Sequence, residues 1–381
     1  MLKKWVSALL CAGLLLAALP TYGAGAAPDD ISAKGCVLMV AGSGEVLYEK
    51  EAHTRLSMAS TTKIMTALLA LESGGLDREI VVTDEMVRVE GTSIGLLPGD
   101  TISLYTLVAG MLLESGNDAA NVTAYVVSGG IEPFLELMNA KARALGMENT
   151  HFSTVSGLDA KDHYSTAYDM ALLACAAIEN PAFRAICAQE SARVSYGNPP
   201  YARTLRNHNR LLESYDGAFG VKTGFTRKSG RCLVSAAERG GVTLVAVTLH
   251  APDDWADHEQ LLDYGFSVTR VLDGETLCAP PQAVVVGGEA AHVQTAFASQ
   301  PVLPVTDRTP DVTAEVFMQP FLYAPVDAGD CVGTVRFYAA GQMILETPLL
   351  AADDVPAQAA PEAEPAKPSL WTRIRQFFGR E

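Results

Sequence analysis

Between Met58 and Glu72 the chain reads MASTTKIMTALLALE, and from Ile64 to Leu71 good helix formers follow one another with apolar side chains on nearly every side. A helix of this kind has no face to give to water, so a domain must be built around it. Ser60, Thr61 and Thr62 supply a helix start. The lysine at position 63 then stands inside a buried run, where it must either reach solvent or carry chemistry.

The flanking patterns indicate what surrounds that helix. CVLMVAGSGEVLYEKE, from Cys36, holds two β-rich runs about Ala41–Gly44 and reads as a hairpin. Helical patterns run through YTLVAGMLLES, Asp118 to Val127, Pro133 to Leu145 and Ala167 to Ile178. Strand patterns return at Gly217 to Gly224, Arg231 to Ala237 and Val242 to Leu249, and a helical stretch from Asp257 to Tyr264 closes the unit. Strands at both ends with helices between them predict an α+β domain over residues 30–277, an antiparallel sheet carrying a helical insertion.

A chain of 381 residues, 49% of them apolar, has room for a second domain. Residues 278–352 are rich in valine, glycine and short alternating runs such as CVGTVRFYAAG, which predict a small all-β module. Residues 353–368 have too little hydrophobic content to fold and read as an extended linker. The last segment, 369–381, sets Leu370, Trp371, Ile374, Phe377 and Phe378 on one helical face, with Arg373, Arg375, Gln376 and Arg380 largely opposite. That pattern predicts an interfacial helix on a membrane surface, the alternatives being a helix docked on the protein itself or an unstructured tail.

Residues 1–26 have the order of an export signal, with Lys3 and Lys4, an apolar stretch from Trp5 to Leu19, and small residues ending near Ala26. The apolar stretch is short for a spanning helix. The expected location is therefore outside the cell, peripheral to the outer face of the cytoplasmic membrane. Without Lys3 and Lys4 the 28 basic residues become 26 against 44 acidic ones, a net charge of −18 that argues against nucleic acid as a partner. Cys36, Cys175, Cys187, Cys232, Cys278 and Cys331 form no CxxC pair, and with seven scattered histidines they give no metal-ligand spacing. Isolated buried thiols are expected, with no metal and no cofactor.

The chemistry begins at Ser60-Thr61-Thr62-Lys63. Residues three apart on a helix share a face, so a hydroxyl and an amine come within reach of each other, and the helix N-terminus favours developing negative charge. Burial disfavours the ammonium form, so Lys63 can take the proton of Ser60 and make it a nucleophile. For this tetrapeptide alone, a helix-capping serine followed by a surface lysine is the more common explanation. Two further pieces change the balance. Ser115-Gly116-Asn117 places a hydroxyl and an amide in a short turn between helices. Lys222-Thr223-Gly224 lies in AFGVKTGFT, a strand pattern with glycine where backbone approaches another group closely.

With these three elements in this order, the chain resembles the penicillin-binding serine DD-peptidases, and within them the low-molecular-mass D-alanyl-D-alanine carboxypeptidases. LMNAKARALGMENTHF, YSTAYDMALLA, RNHNRLL, VKTGFTRKSGRCLVSAAERGG and EQLLDYGF extend the resemblance over essentially the whole mature chain. The resemblance implies a substrate, peptidoglycan stem peptides ending in D-Ala-D-Ala, and covalent inhibition by β-lactams. It implies that Ser60 attacks the carbonyl of the penultimate D-alanine, that Lys63 accepts its proton, and that Ser115 and Lys222 help deliver a proton to the departing D-alanine. Asn117 is expected to bond the substrate backbone, Thr223 to meet the terminal carboxylate in the KTG strand with Gly224, and the backbone N–H groups of Ser60 and Phe225 to form the oxyanion hole.

One departure and two rivals accompany that likeness. Some relatives carry an arginine before the closing helix that helps hold the substrate carboxylate; the corresponding stretch here is Asp253-Asp254-Trp255, which leaves Arg227, Lys228 and Arg231 as candidates. A β-lactamase shares all three motifs, but its deacylating glutamate has only Glu132 to Glu136 as a poor match here. A non-catalytic penicillin sensor would have no need of Ser60, Lys63, Ser115 and Lys222 together.

Overall fold

The computed structural model describes residues 26–359 and Trp371. The expected export signal up to residue 25, the expected linker from residue 360 and the expected terminal helix apart from Trp371 lie outside the described residues. The first part of that linker is not free, since buried Val355 pairs with Val326 and Ala357 with Gly288. The chain divides into two compact units. One holds the residues up to Leu272 together with Leu303–Thr309, and the other holds Asp273–Val302 and the residues from Pro310 onward.

The first unit opens on the hairpin β1 (Gly35–Val40) and β2 (Val46–Lys50). A 3-10 turn, Ala59–Thr62, runs straight into α1 (Lys63–Glu72), where every residue except Leu69 and Glu72 is buried. Strands β3 (Glu79–Val81) and β4 (Thr101–Ser103) lead to α2 (Leu104–Leu112), α3 (Asn117–Ser128) and α4 (Ile131–Ala144). After these come α5 (Ala167–Glu179), α6 (Pro181–Cys187), and the hairpin β5 (Ser191–Gly197) and β6 (Pro200–Arg206). One turn of helix, α7 (Leu211–Ser214), precedes β7 (Ala218–Thr226), β8 (Gly230–Arg239) and β9 (Val242–Leu249). The unit then closes with α8 (Asp254–Val268) and β10 (Thr269–Asp273).

The main sheet has the order β2-β1-β9-β8-β7 and is antiparallel throughout, with Val37 opposite Val247 and Thr223 opposite Leu233. Both faces are covered, which is why β1, β8 and β9 read as continuous apolar runs. Val37, Met39, Val234, Val245 and Val247 join Ile64, Met65 and Leu68 of α1 in the larger core. The alternate residues Leu38, Val40, Leu233, Leu244 and Ala246 pack with Leu261 and Leu262 of α8 on the other side. Helix starts follow local chemistry. Ser103 accepts from the Thr106 N–H at 3.2 Å, Thr166 accepts from Asp169 at 3.0 Å, and Asn180 caps α6 with Pro181 at its first position. A second sheet, β3-β4-β5-β6, borders the helical layer.

The second unit starts with α9 (Gly274–Leu277) and contains β11 (Ala283–Val286), β12 (His292–Val293) and β13 (Thr295–Phe297). Strand β14 (Val302–Thr306) then returns to the first unit to pair with β10. Strands β15 (Val312–Met318), β16 (Leu322–Tyr323), β17 (Cys331–Ala339) and β18 (Gln342–Ala351) complete two sheets, β12-β11-β16 and β13-β18-β17-β15. Buried Val335, Phe337 and Leu349 form part of this unit's interior. The expected single break at residue 278 gives way to three crossings, at 272/273, 302/303 and 309/310, because the strand at 302–306 pairs with β10 of the preceding unit. The thiols also differ in part from expectation: Cys36, Cys187 and Cys232 are buried and free, but Cys331 is exposed.

Candidate active site

Ser60 sits in the 3-10 turn rather than in the regular helix. The hydroxyls that were expected to cap α1 bond backward instead: Thr61 Oγ1 donates to the Met58 carbonyl at 2.6 Å and Thr62 Oγ1 to the Ala59 carbonyl at 2.8 Å. These bonds hold Ala59 in the left-handed region, φ +48°, a strained position for a non-glycine. His163 braces the turn from behind. The Ser153 N–H donates to its Nδ1 at 3.1 Å, so the ring proton is on Nε2, which lies 2.8 Å from Thr62 Oγ1.

Lys63 Nζ lies 2.9 Å from Ser60 Oγ, 2.7 Å from Asn117 Oδ1 and 2.6 Å from the Ser156 carbonyl. The last two partners are acceptors only. A neutral amine has two N–H donors and one lone pair, so Asn117 and Ser156 take both donors and the lone pair is left facing Ser60. Burial pushes the Lys63 pKa well below its ordinary value; the neighbouring charge of Lys222 lowers it further, and Asp118 opposes them. The geometry and the electrostatics therefore both favour an amine poised to accept the serine proton.

Ser115 lies between α2 and α3 with φ +63°, a second left-handed non-glycine, and lines the same cavity as Ser60. Buried Asp118 ties this region down, accepting from the backbone of Ile94 and Leu96 at 3.0 Å each and from Ser93 Oγ at 2.6 Å. Asn117 is engaged within the site itself. Its Oδ1 is held by Lys63 and its Nδ2 donates to the Glu90 carbonyl at 2.7 Å, so it positions the amine and has a single N–H left for a substrate.

Strand β7 brings the third element. A Cβ at Gly224 would lie 3.0 Å from the Ser60 nitrogen and 3.1 Å from that of Thr61, so only glycine allows the strand this close to the turn. Because β7 is the sheet's edge, alternate N–H groups have no ladder partner. Lys222 is buried, its pKa pushed down to about 7 by desolvation, and its Nζ donates to the Thr223 carbonyl at 2.9 Å rather than to Ser115. Thr223, Gly224 and the exposed Phe225 line the cavity, which has a volume of about 340 Å³.

The remaining walls are Thr92, His208, Arg210, Arg231, Asp254 and Trp255. Of the three cations weighed for carboxylate binding, Arg227 and Lys228 do not line the cavity; Arg231 does, but it is paired with Asp254 at 2.6 Å. The residues that sequence reasoning passed over are Ser156, Gly157, Asp118, His208 and Arg210. Gly157 carried a signal, a glycine in TVSGLDAK with φ +88°, but nothing local ties it to Ser60.

A serine hydroxyl facing the lone pair of a buried amine, beside an unpaired strand edge and a polar cavity, defines a serine acyl-transfer site of the serine–lysine type. The chain belongs to the D-alanyl-D-alanine carboxypeptidase family, whose model matches residues 23–253, and the C-terminal domain of penicillin-binding protein 5 matches residues 282–357. Among curated relatives, D-alanyl-D-alanine carboxypeptidase DacF of Bacillus subtilis is 32% identical, covering 93% of this chain and 95% of its own. DacC of Escherichia coli is 34% identical over 86% of this chain and 85% of its own. The crystal structure of the Streptomyces K15 DD-transpeptidase superimposes with a TM-score of 0.61 at 34% identity, covering 64% of this chain and all of that one. DacD of Francisella tularensis does so with a TM-score of 0.59 at 27% identity, covering 86% and 95%.

Proposed function

We propose that this serine-type D-Ala-D-Ala carboxypeptidase removes the terminal D-alanine from peptidoglycan stem pentapeptides through an acyl-enzyme on Ser60. The observation that carries the assignment is the environment of Lys63, two fixed acceptors and one hydroxyl about a buried amine. Ser60 Oγ attacks the carbonyl of the penultimate D-alanine and its proton passes to Lys63 Nζ. The Ser60 and Phe225 N–H groups hold the oxyanion. As the C–N bond breaks, the proton reaches the departing amine through Lys63 and Ser115, with buried Lys222 near enough for its charge to act on Lys63. Water then attacks the ester, and Lys63 again takes the proton.

β-Lactams acylate the same serine and leave slowly. Glu132 and Glu136, the nearest sequence match to a deacylating glutamate, line a separate groove with Leu135 and Asn139. The one acid bordering the Ser60 cavity among the described residues is Asp254, which is engaged with Arg231.

The same proposal places the protein outside the cell, peripheral to the membrane. Its support is the sequence pattern alone: the N-terminal order of charge, apolar run and small residues, and the segregation of Leu370, Trp371, Ile374, Phe377 and Phe378 from the arginines in the last segment. Deleting residues 369–381 is expected to release the protein from the membrane fraction; unchanged partitioning refutes the anchor. For the chemistry, purified protein given a D-Ala-D-Ala-terminated pentapeptide releases free D-alanine, and Ser60→Ala abolishes both that release and covalent penicillin labelling. A penicillin-sized mass increase on the Ser60→Ala protein refutes the assignment.

A further inference from the structure

The Ser60 cavity extends to a cluster that the steps above leave without a role. Arg210 precedes α7, Arg231 lies on β8 and Trp255 lies in the first turn of α8, and all three border the cavity. The Arg231 guanidinium stands 5.6 Å from the centre of the Trp255 ring and that of Arg210 stands 6.0 Å away, so one indole supports two cations.

The two charges are not equivalent. Arg231 Nε donates to Asp254 Oδ1 at 2.8 Å, and its Nη2 lies 2.6 Å from the same oxygen. Asp254 is buried, so this pair is a fixed, internally balanced wall. Asp254 also accepts from the Trp255 N–H at 3.0 Å, which fixes the start of α8 beneath the indole. Arg210 is exposed and makes no ion pair or side-chain hydrogen bond with the described residues. It is the cavity's uncompensated guanidinium. Lys222 is a weaker anchor for an anion, because it is buried behind Thr223 with its amine turned to a carbonyl and its pKa brought down to about 7.

A carboxypeptidase substrate has a free carboxylate one residue beyond the bond that is cut, and the group that recognises it must be cationic and reachable from the nucleophile's cavity. We propose that Arg210 receives this terminal carboxylate, held over Trp255, while Asp254 occupies Arg231 and keeps it as a wall. This rests on Ser60 being the nucleophile. Planar guanidinium bound two-point to carboxylate would give the site its preference for a free C-terminus over a blocked one.

The test compares two peptides, an N-acylated Lys-D-Ala-D-Ala acid and the same peptide as its C-terminal carboxamide, with D-alanine and D-alaninamide release measured for wild type, Arg210→Gln and Arg210→Lys. A lost charge-assisted contact corresponds to a fall of roughly 10- to 100-fold in kcat/KM for the acid. The ratio of acid to amide should shrink by the same factor in Arg210→Gln. Arg210→Lys, which keeps charge but not the fork, should recover part of the ratio. Equal losses on both peptides, or an unaltered ratio in both variants, overturns the assignment of Arg210. Wild-type protein that releases no D-alanine from the acid defeats instead the underlying reading of Ser60.

Discussion

Gly157 is the most informative residue to change, because it lies outside the three motifs and yet touches the nucleophile's turn. Its φ of +88° is left-handed, and a Cβ built there would stand 2.9 Å from the Ser60 nitrogen and run into the Ala59 carbonyl. Gly157→Ala therefore has two effects. The backbone strain costs about 1–2 kcal/mol. Relieving the overlap requires the Ala59–Ser60 turn to move on the order of 1 Å, and a misplacement of that size lowers rates about 100-fold. The strain can be separated from the displacement. Gly146 also has a left-handed φ, +76°, but a Cβ there meets nothing within 4 Å. Gly146→Ala should lose similar stability, roughly 2–4 °C of Tm per kcal/mol, and acylate like wild type. The assay is the rate of acyl-enzyme formation with benzylpenicillin, followed by intact mass on quenched samples beside thermal melts. If Gly157→Ala acylates as fast as Gly146→Ala, the loop holding Ser156 and Gly157 does not position Ser60 and the reasoning fails.

Asn117→Ala removes one of the two acceptors that fix Lys63, freeing an N–H that can turn toward Ser60; acylation should slow by about 10², and a rate equal to wild type would show that Ser156 alone orients the amine. Acid should weaken the fold. Burial depresses His258 to about 3, between the hydroxyls of Ser235 and Thr248, and His163 to about 4. Both stay neutral in the folded protein while the unfolded chain takes up protons below about 6.5, so stability is complete above that pH and is lost as pH falls toward 3–4. At pH 5 each histidine accounts for a loss of about 2 kcal/mol, and a melting temperature that is flat from pH 7 to pH 4.5 contradicts this.

The sequence pattern exposed most of the first unit's architecture because its signals are short-range and strong. The apolar helix from Ile64, the hairpin at Cys36 and the runs at β8 and β9 each carry their own period. Ser60, Lys63, Ser115, Asn117 and Lys222 are legible as candidates in the motifs, but the contact of Asn117 with the amine is not, since only the fold shows that its amide lies between Lys63 and the Glu90 carbonyl. Strands β3, β4 and β6 leave little trace in the sequence, because β3 and β4 have three residues each and β6 is largely exposed, whereas β5 does alternate in burial but sets Ala192, Val194 and Tyr196 among polar neighbours. Arg210 lies in RNHNRLL, a segment that carries the family resemblance but gives this arginine no role. Its meaning depends on Trp255, 45 positions further on, and no periodicity links the two.

Strand β14 has a consequence for where the first unit ends. The first unit recruits Leu303–Thr309, and Thr306 and Thr309 donate to Glu45 at 2.6 and 3.0 Å. A nascent chain halted after residue 277 holds every catalytic side chain but is missing the segment that latches onto the opening hairpin. The limit of the first unit therefore does not follow chain order: truncation after residue 277 removes β14 and both bonds to Glu45 from the unit that contains Ser60.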